Sequence, residues 1–244
     1  MENKQPSFNI THYFFALFVS CFLLPAICNA QSKNIDQTFR PVIYAAIVGS
    51  QVDGDTYGGY SKPGFMLGAG INRQLSKIFE VEFALTFIQK GARHNYSLDS
   101  ASRNNPANPF YLSRLNYLEI PLVLRANYRR FNGEIGAAAA YLIKNPPNVQ
   151  TNNPTYLDYN YRSFDFSYIV GIGMKLKNTW SVNFRFEYSI VTIHPYLNSY
   201  NGVFHGTFPQ NLFNRGLYNN LLQLSLRYRI PTKPATTDPT INAQ

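Results

Sequence analysis

"FEVEFALTF", residues 79–87, alternates without a break. Phe79, Val81, Phe83, Leu85 and Phe87 share one parity; Glu80, Glu82, Ala84 and Thr86 share the other. A repeat of two means an extended strand, because successive side chains leave a strand on opposite faces. One face here is aromatic and aliphatic. The other carries two carboxylates.

The pattern recurs along the chain. "WSVNFRFEYSI" (180–190) sets Trp180, Val182, Phe184, Phe186, Tyr188 and Ile190 against Ser181, Asn183, Arg185, Glu187 and Ser189. Residues 222–230 set Leu222, Leu224, Leu226, Tyr228 and Ile230 against Gln223, Ser225, Arg227 and Arg229. Residues 165–176 set Phe166, Tyr168, Val170, Ile172, Met174 and Leu176 against Asp165, Ser167, Gly171, Gly173 and Lys175. In "YLEIPLVLRANY" (117–128), Leu118, Ile120, Leu122, Leu124 and Ala126 oppose Glu119, Pro121, Val123, Arg125 and Asn127. Residues 65–72 and 135–143 alternate more softly, and residues 41–51 alternate weakly. The expected total is eight strands.

The connections also alternate. "RQLSK", "RRFNG" and "LKNT" are tight, whereas "VDGDTYGGYSKP" and the stretches His94–Ser113, Asn145–Ser163 and His194–Gly216 are long. Tight turns at one end and long loops at the other are the plan of an outer-membrane barrel.

The N-terminus sets the compartment. Phe14–Ile27 is a 14-residue apolar run, followed by Cys28-Asn29-Ala30. It is short for a spanning helix and reads as a secretory signal peptide. The expected organisation is a signal peptide over 1–30, a barrel over 31–230 and a polar, disordered periplasmic tail over 231–244. Cys21 and Cys28 both fall in the signal, so the mature chain has no disulfide and no thiolate metal site.

Aromatic residues make up 16% of the chain and charged residues 14%, an unusual balance for a water-facing surface. Without a second long apolar run, the route into a membrane is a closed barrel. The net charge of +9 is scattered and the chain is exported, which argues against nucleic acid. Anionic lipid, lipopolysaccharide or polysaccharide is the better electrostatic partner.

An eight-stranded barrel has room inside for little more than packed side chains. The rings of the apolar face cannot all fit there, so that face points to lipid. Trp180, Phe79 and Tyr128 near the turns, and Tyr117, Tyr168 and Tyr188 near the loops, are expected to form two aromatic girdles. The fold class is therefore an all-β, up-and-down, eight-stranded antiparallel transmembrane barrel in the outer membrane of a Gram-negative bacterium. An even strand count puts both termini in the periplasm and the long loops outside the cell.

The polar face is then the lumen. Glu80, Glu82, Glu119, Arg125, Asp165, Arg185, Glu187 and Arg227 lie on it, with Lys175 and Arg229. Buried charges are costly unless paired, so these are expected to form a structural network. Glu119 is expected to pair with Arg185 or Arg227. A proton or ion path, or a gate, is the functional alternative. Pro121 removes a ladder donor in a barrel without a free edge, so a bulge or a broken pairing is expected there.

No cofactor, metal or catalytic residue is assigned. Asp53 and Asp55 with nearby glycines do not match a calcium loop. His94, His194 and His205 lie in predicted loops; neither His94 with Ser97 nor His194 with Ser199 is marked as part of a triad. The loops are rich in Asn, Tyr and Pro, which is ordinary loop chemistry and also suits an adaptable binding surface.

Three blocks carry a family resemblance. Gly59–Phe65 reads Gly-Tyr-x-Lys-x-Gly-Phe, Lys90-Gly91 follows the third strand, and Tyr117–Pro121 reads Tyr-Leu-Glu-Ile-Pro. In order and spacing the chain resembles the PorT-type outer-membrane β-barrel family of Bacteroidetes. The resemblance implies fold and location and no specific activity. It is closer to the general membership than to the secretion component that names the family. The leading expectation is a non-enzymatic protein with an envelope-structural role or an envelope protein partner. The alternatives are assistance to secretion or small-solute transport, and a lipid-modifying enzyme.

Overall fold

The computed structural model describes residues 39–54, 58–94, 110–144, 148–151, 161–177, 179–195 and 216–231. They form β1 (Arg40–Asp53), β2 (Lys62–Gln74), β3 (Phe79–His94), β4 (Tyr111–Tyr128), β5 (Phe131–Leu142), β6 (Asn148–Thr151), β7 (Phe164–Lys175), β8 (Trp180–Ser189), β9 (His194–Pro195) and β10 (Gly216–Arg229). Eight are long. They pair antiparallel in the order β1-β2-β3-β4-β5-β7-β8-β10, and β10 returns to β1 from Val42↔Arg229 to Asp53↔Tyr218. That pairing closes the barrel and removes the sheet edge.

The two short strands lie at the loop end. β6 pairs with Tyr111–Arg114 of β4, and β9 pairs with Gly216–Leu217 of β10. β3 and β4, at 16 and 18 residues, run past their expected ends and take up part of the stretch read as a His94–Ser113 loop. β1 is a regular strand of 14 residues despite its weak alternation. Its inward side chains include Val42, Tyr44, Ala46 and Val48. The lumen accepts apolar residues there, which blurs the contrast between faces.

The tight turns have local causes. Ser76 Oγ accepts the backbone N–H groups of Ile78 (3.2 Å) and Phe79 (2.9 Å), closing β2 onto β3. Arg129-Arg130 joins β4 to β5 in two residues, and Arg129 takes a left-handed φ of 53°.

The apolar face points outward, as Ile47 and Ile172, each 68% exposed, illustrate. Two aromatic bands border it. Near the turns, Trp180 and Tyr228 pack with centroids 4.6 Å apart, and Phe79, Tyr128 and Phe131 are exposed at the same end on other strands. Near the loops, Tyr188 lies 6.0 Å from both Tyr168 and Tyr218. Tyr117 does not join this band. It has the parity of Glu119 and is completely buried inside the barrel.

Pro121 produces no bulge. Phe83↔Leu122 and Thr86↔Glu119 keep one register, so no residue is inserted. The β3–β4 ladder simply lapses opposite Ile120 and Pro121, while Pro121 stays paired with Ala138 of β5. The missing N–H faces the lapse. Space inside is made by small residues. A Cβ on Gly68 would lie 2.6 Å from Thr86 Cγ2 and 2.8 Å from Tyr44 Cε2, so Gly68 makes room for the lumenal Tyr44 ring.

The stretch read as a signal peptide lies outside the described residues, as does the tail beyond Pro231. So do Asp55, Ser97, Ser199 and His205.

Candidate functional site

The lumen is stacked in layers along the barrel axis. At the loop end it is closed by apolar and tyrosyl side chains. Tyr111, Leu115, Tyr161, Ile193, Leu217 and Leu221 are all buried in one cluster. Tyr111 and Tyr161 hydroxyls meet at 3.0 Å, and Ser113 Oγ lies 3.3 Å from Tyr161. The extended β3–β4 hairpin and the short β6 and β9 pairings supply this cap.

Beneath it lies a layer centred on Lys90. Its Nζ sits 2.5 Å from Glu187 Oε1, 2.8 Å from Glu119 Oε2 and 3.6 Å from Asp165 Oδ2. It also stands over the Tyr117 ring, 5.2 Å from the centroid. Neutral donors complete the shell. Gln223 Nε2 (2.6 Å) and Ser167 Oγ (3.0 Å) donate to Glu187, and Asn219 Nδ2 (2.8 Å) donates to Asp165.

The next layer is built on arginines. Arg125 Nε donates to Glu134 Oε1 at 2.8 Å, and its Nη1 reaches Glu82 Oε2 at 3.2 Å. Arg185 Nε donates to Glu134 Oε2 at 2.6 Å. Arg227 grips Glu82 Oε2 through Nη2 (2.6 Å) and Nε (2.7 Å). Asn183 Nδ2 also donates to Glu134. Arg185 lies 5.8 Å from the Tyr44 ring centroid, so the space left by Gly68 also serves this layer.

Three strands thus bring Arg125, Arg185 and Arg227 together on Glu82 and Glu134, while Lys90 gathers Glu119, Asp165 and Glu187. Glu119 faces Lys90 rather than Arg185 or Arg227, because it lies on the loop side of both arginines. Glu80 stands at the turn end, where Asn127 Nδ2 donates to it at 2.5 Å. Lys175 and Arg229 line the mouth beside it.

Lys90 and Glu134 complete the layers, although sequence reasoning placed neither among the lumenal charges. Both keep the inward parity of their strands. Lys90 lies three residues beyond Phe87, and Glu134 one residue before Ile135. Carrying the alternation past the last apolar residue would have found them.

Asp53 is engaged by amides, from Gln51 Nε2 at 2.6 Å and Asn220 Nδ2 at 3.0 Å. Among the described residues no group of three His, Cys, Asp or Glu side chains is arranged to hold a metal ion. His194 packs edge-on against Tyr161, with centroids 5.9 Å apart. The pairings of His94 with Ser97 and of His194 with Ser199 fall on serines outside the described residues. Chemically, the layers hold buried charges against one another, where a pair is strong and an unpaired group costly.

Among solved structures, the chain is similar to Ail, the attachment invasion locus protein of Yersinia pestis. Identity is 13% over 80% of this chain and 100% of that one, with a TM-score of 0.42. It is similar to Neisserial surface protein A at 9% identity, over 78% of this chain and 97% of that one, with a TM-score of 0.44. For OprG of Pseudomonas aeruginosa the values are 9% identity, 81% and 98% coverage, and a TM-score of 0.39. No curated protein matches the sequence. The family model described as an outer membrane protein beta-barrel domain matches residues 29–194, more than half of the 244 residues. An outward apolar face between two aromatic bands, a closed eight-stranded sheet and this match agree: the chain belongs to the outer membrane β-barrel domain family.

Proposed function

We propose that this is a non-enzymatic outer-membrane protein whose lumen is a structural plug and whose loop end binds an envelope protein partner. The observation that supports it best is the stacking of three closing layers: the Tyr111–Tyr161 cap, the Lys90 layer and the arginine layer. A transport pore needs a continuous wet path, and these layers spend the lumen on mutual pairing. In this reading Glu80, Glu82, Glu119, Arg125, Asp165, Arg185, Glu187 and Arg227 act as structural charges.

The loop end carries the investment. β3 and β4 rise past their neighbours, β6 braces β4, and β9 braces β10 across the rim. A raised rim held by a buried core suits a binding platform better than a simple connection does. In this reading the loops are extracellular, the termini are periplasmic, and the surrounding lipid includes lipopolysaccharide. The blocks Gly59–Phe65, Lys90-Gly91 and Tyr117–Pro121 support a finer placement with PorT-type barrels.

Site-specific photo-crosslinking in the native outer membrane tests the partner. A probe at Arg114 or Tyr60 at the loop end should capture one discrete partner that a probe at Lys77 in a tight turn does not. Capture of nothing at the loop end, or of the same mixture from both ends, would remove the reading. Orientation has its own test, since the mature chain has no cysteine. Ser61→Cys should react with an impermeant maleimide on intact cells, and Lys77→Cys should not.

A further inference from the structure

The outer face of β3 and β4 changes chemistry in order toward the loop end. Phe87↔Leu118 is its last apolar pair. Gln89↔Asn116 then pairs two amides, Gly91↔Arg114 carries a guanidinium, and Arg93↔Leu112 carries another. Arg114 and Arg93 are exposed. Arg114 shares the outward parity of Leu118 and stands four residues beyond it, roughly 13 Å along the strand. Apolar, then amide, then cationic is the order met on leaving the hydrocarbon for the headgroups.

β2 brings a third cation to the same place. A Cβ on Gly91 would lie 3.1 Å from Lys62 Cδ, so the lysine stem crosses the gap that Gly91 leaves opposite Arg114. Lys62 is only 5% exposed. Burial first, and the like charge of Arg114 second, work against its ammonium. Among the described residues, none of Lys62, Arg93 and Arg114 makes an ion pair. Asp53, the outward carboxylate described at this end, sits on the β1–β10 seam and is held by Gln51 and Asn220. Like charges gathered without an anion are costly, and an anion from outside relieves them.

The surroundings decide which anion. The patch continues the lipid face, so its ligand arrives from the side, within the leaflet. Arginine as a fork and lysine as a point charge together suit a phosphate.

We propose that Lys62 and Arg114, with Arg93 beside them, bind the phosphate of an outer-leaflet lipid headgroup at the loop end of β2–β4. This rests on the reading that the loop end faces out of the cell, and the lipid would flank the protein partner rather than replace it. Lys144, just past β5, and Arg162, just before β7, add only to the general attraction.

Native mass spectrometry of the full-length mature barrel, released from neutral detergent, reads discrete lipid adducts. The probe is a short-chain lipopolysaccharide, compared with the same lipid after enzymatic removal of its phosphates. Wild type should carry one saturable, phosphate-dependent adduct. Lys62→Gln combined with Arg114→Gln should weaken it by about tenfold or more, while the heat-modified gel mobility that reports folding is kept. Arg130→Gln combined with Arg162→Gln removes the same charge elsewhere and should leave it unchanged. If the first double variant misfolds, Arg114→Gln alone serves, with a smaller but measurable loss expected.

Lack of a saturable adduct would overturn the proposal. Equal loss in both double variants would do the same, because the effect would then be surface charge alone. So would undiminished binding of the dephosphorylated lipid. Displacement of the lipid by a soluble acidic peptide that binds saturably would give the patch to a protein instead. No membrane is present in these measurements, so their failure leaves orientation to the Ser61→Cys labelling.

Discussion

Lys90 Nζ lies 2.8 Å from Glu119 Oε2, joining the Lys-Gly block of β3 to the Tyr-Leu-Glu-Ile-Pro block of β4. Two stretches that carry the family resemblance in sequence are thus one contact in the lumen, with Tyr117 of the second block beneath the ammonium. The asymmetry of the cluster decides its mutational behaviour. Loss of Glu119 leaves Lys90 with Glu187 and Asp165. Loss of Lys90 leaves three buried carboxylates without their cation. Lys90→Met should therefore destabilise the barrel by about 3–5 kcal/mol and Glu119→Gln by clearly less. Urea midpoints in detergent, read by heat-modified mobility, check the order. Equal midpoints would contradict it.

The arginine layer predicts coupling. Glu134 accepts from both Arg125 and Arg185, at 2.8 and 2.6 Å. A double-mutant cycle on Glu134→Gln and Arg185→Met should give an interaction energy of about 0.5–3 kcal/mol, whereas Glu134→Gln and Lys90→Met, in separate layers, should be nearly additive. Additivity in both cycles would mean that the layers are not tight networks.

Small residues are predicted to be required where the lumen is crowded. Gly68→Val should cost about 1–3 kcal/mol by overpacking Tyr44 and Thr86. Tyr44→Ala should recover part of that loss in the double variant. Gly91→Ala should be worse than Gly68→Ala, because its Cβ would strike the Ser113 carbonyl and its φ of 131° suits only glycine. Refolding yield into detergent micelles is the readout, and equal yields would refute the ranking.

The lipid face makes a depth-dependent prediction. Ile47 lies midway along β1 and points outward. Ile47→Arg should cost about 2–4 kcal/mol in a bilayer, while Tyr128→Arg, at the turn-end aromatic band, should cost about 0–1. Folding titrations into vesicles measure both. Similar costs at the two sites would place the membrane band elsewhere.

The faces were legible because alternation reports them residue by residue. Phe79–Phe87 and Trp180–Ile190 left no ambiguity, and with them came the outward apolar surface and most of the lumenal charges. Strand ends were not legible. Alternation fades where apolar residues stop, and the structure continues to Lys90 on β3 and begins before Glu134 on β5. Pairing partners were not legible either. Which lumenal groups meet depends on the stagger of strands around the barrel, so Glu119 could be assigned a face but not its lysine. Tyr117 shows the opposite hazard: its ring near a loop suggests the belt, while its parity with Glu119 puts it inside.

Planar-bilayer conductance bears most directly on the central reading, that paired side chains close the lumen. Wild-type barrels should insert without a steady open-channel current, and Lys90→Met should not open one while the Tyr111–Tyr161 cap remains. A reproducible, steady single-channel current from the wild-type protein would contradict it.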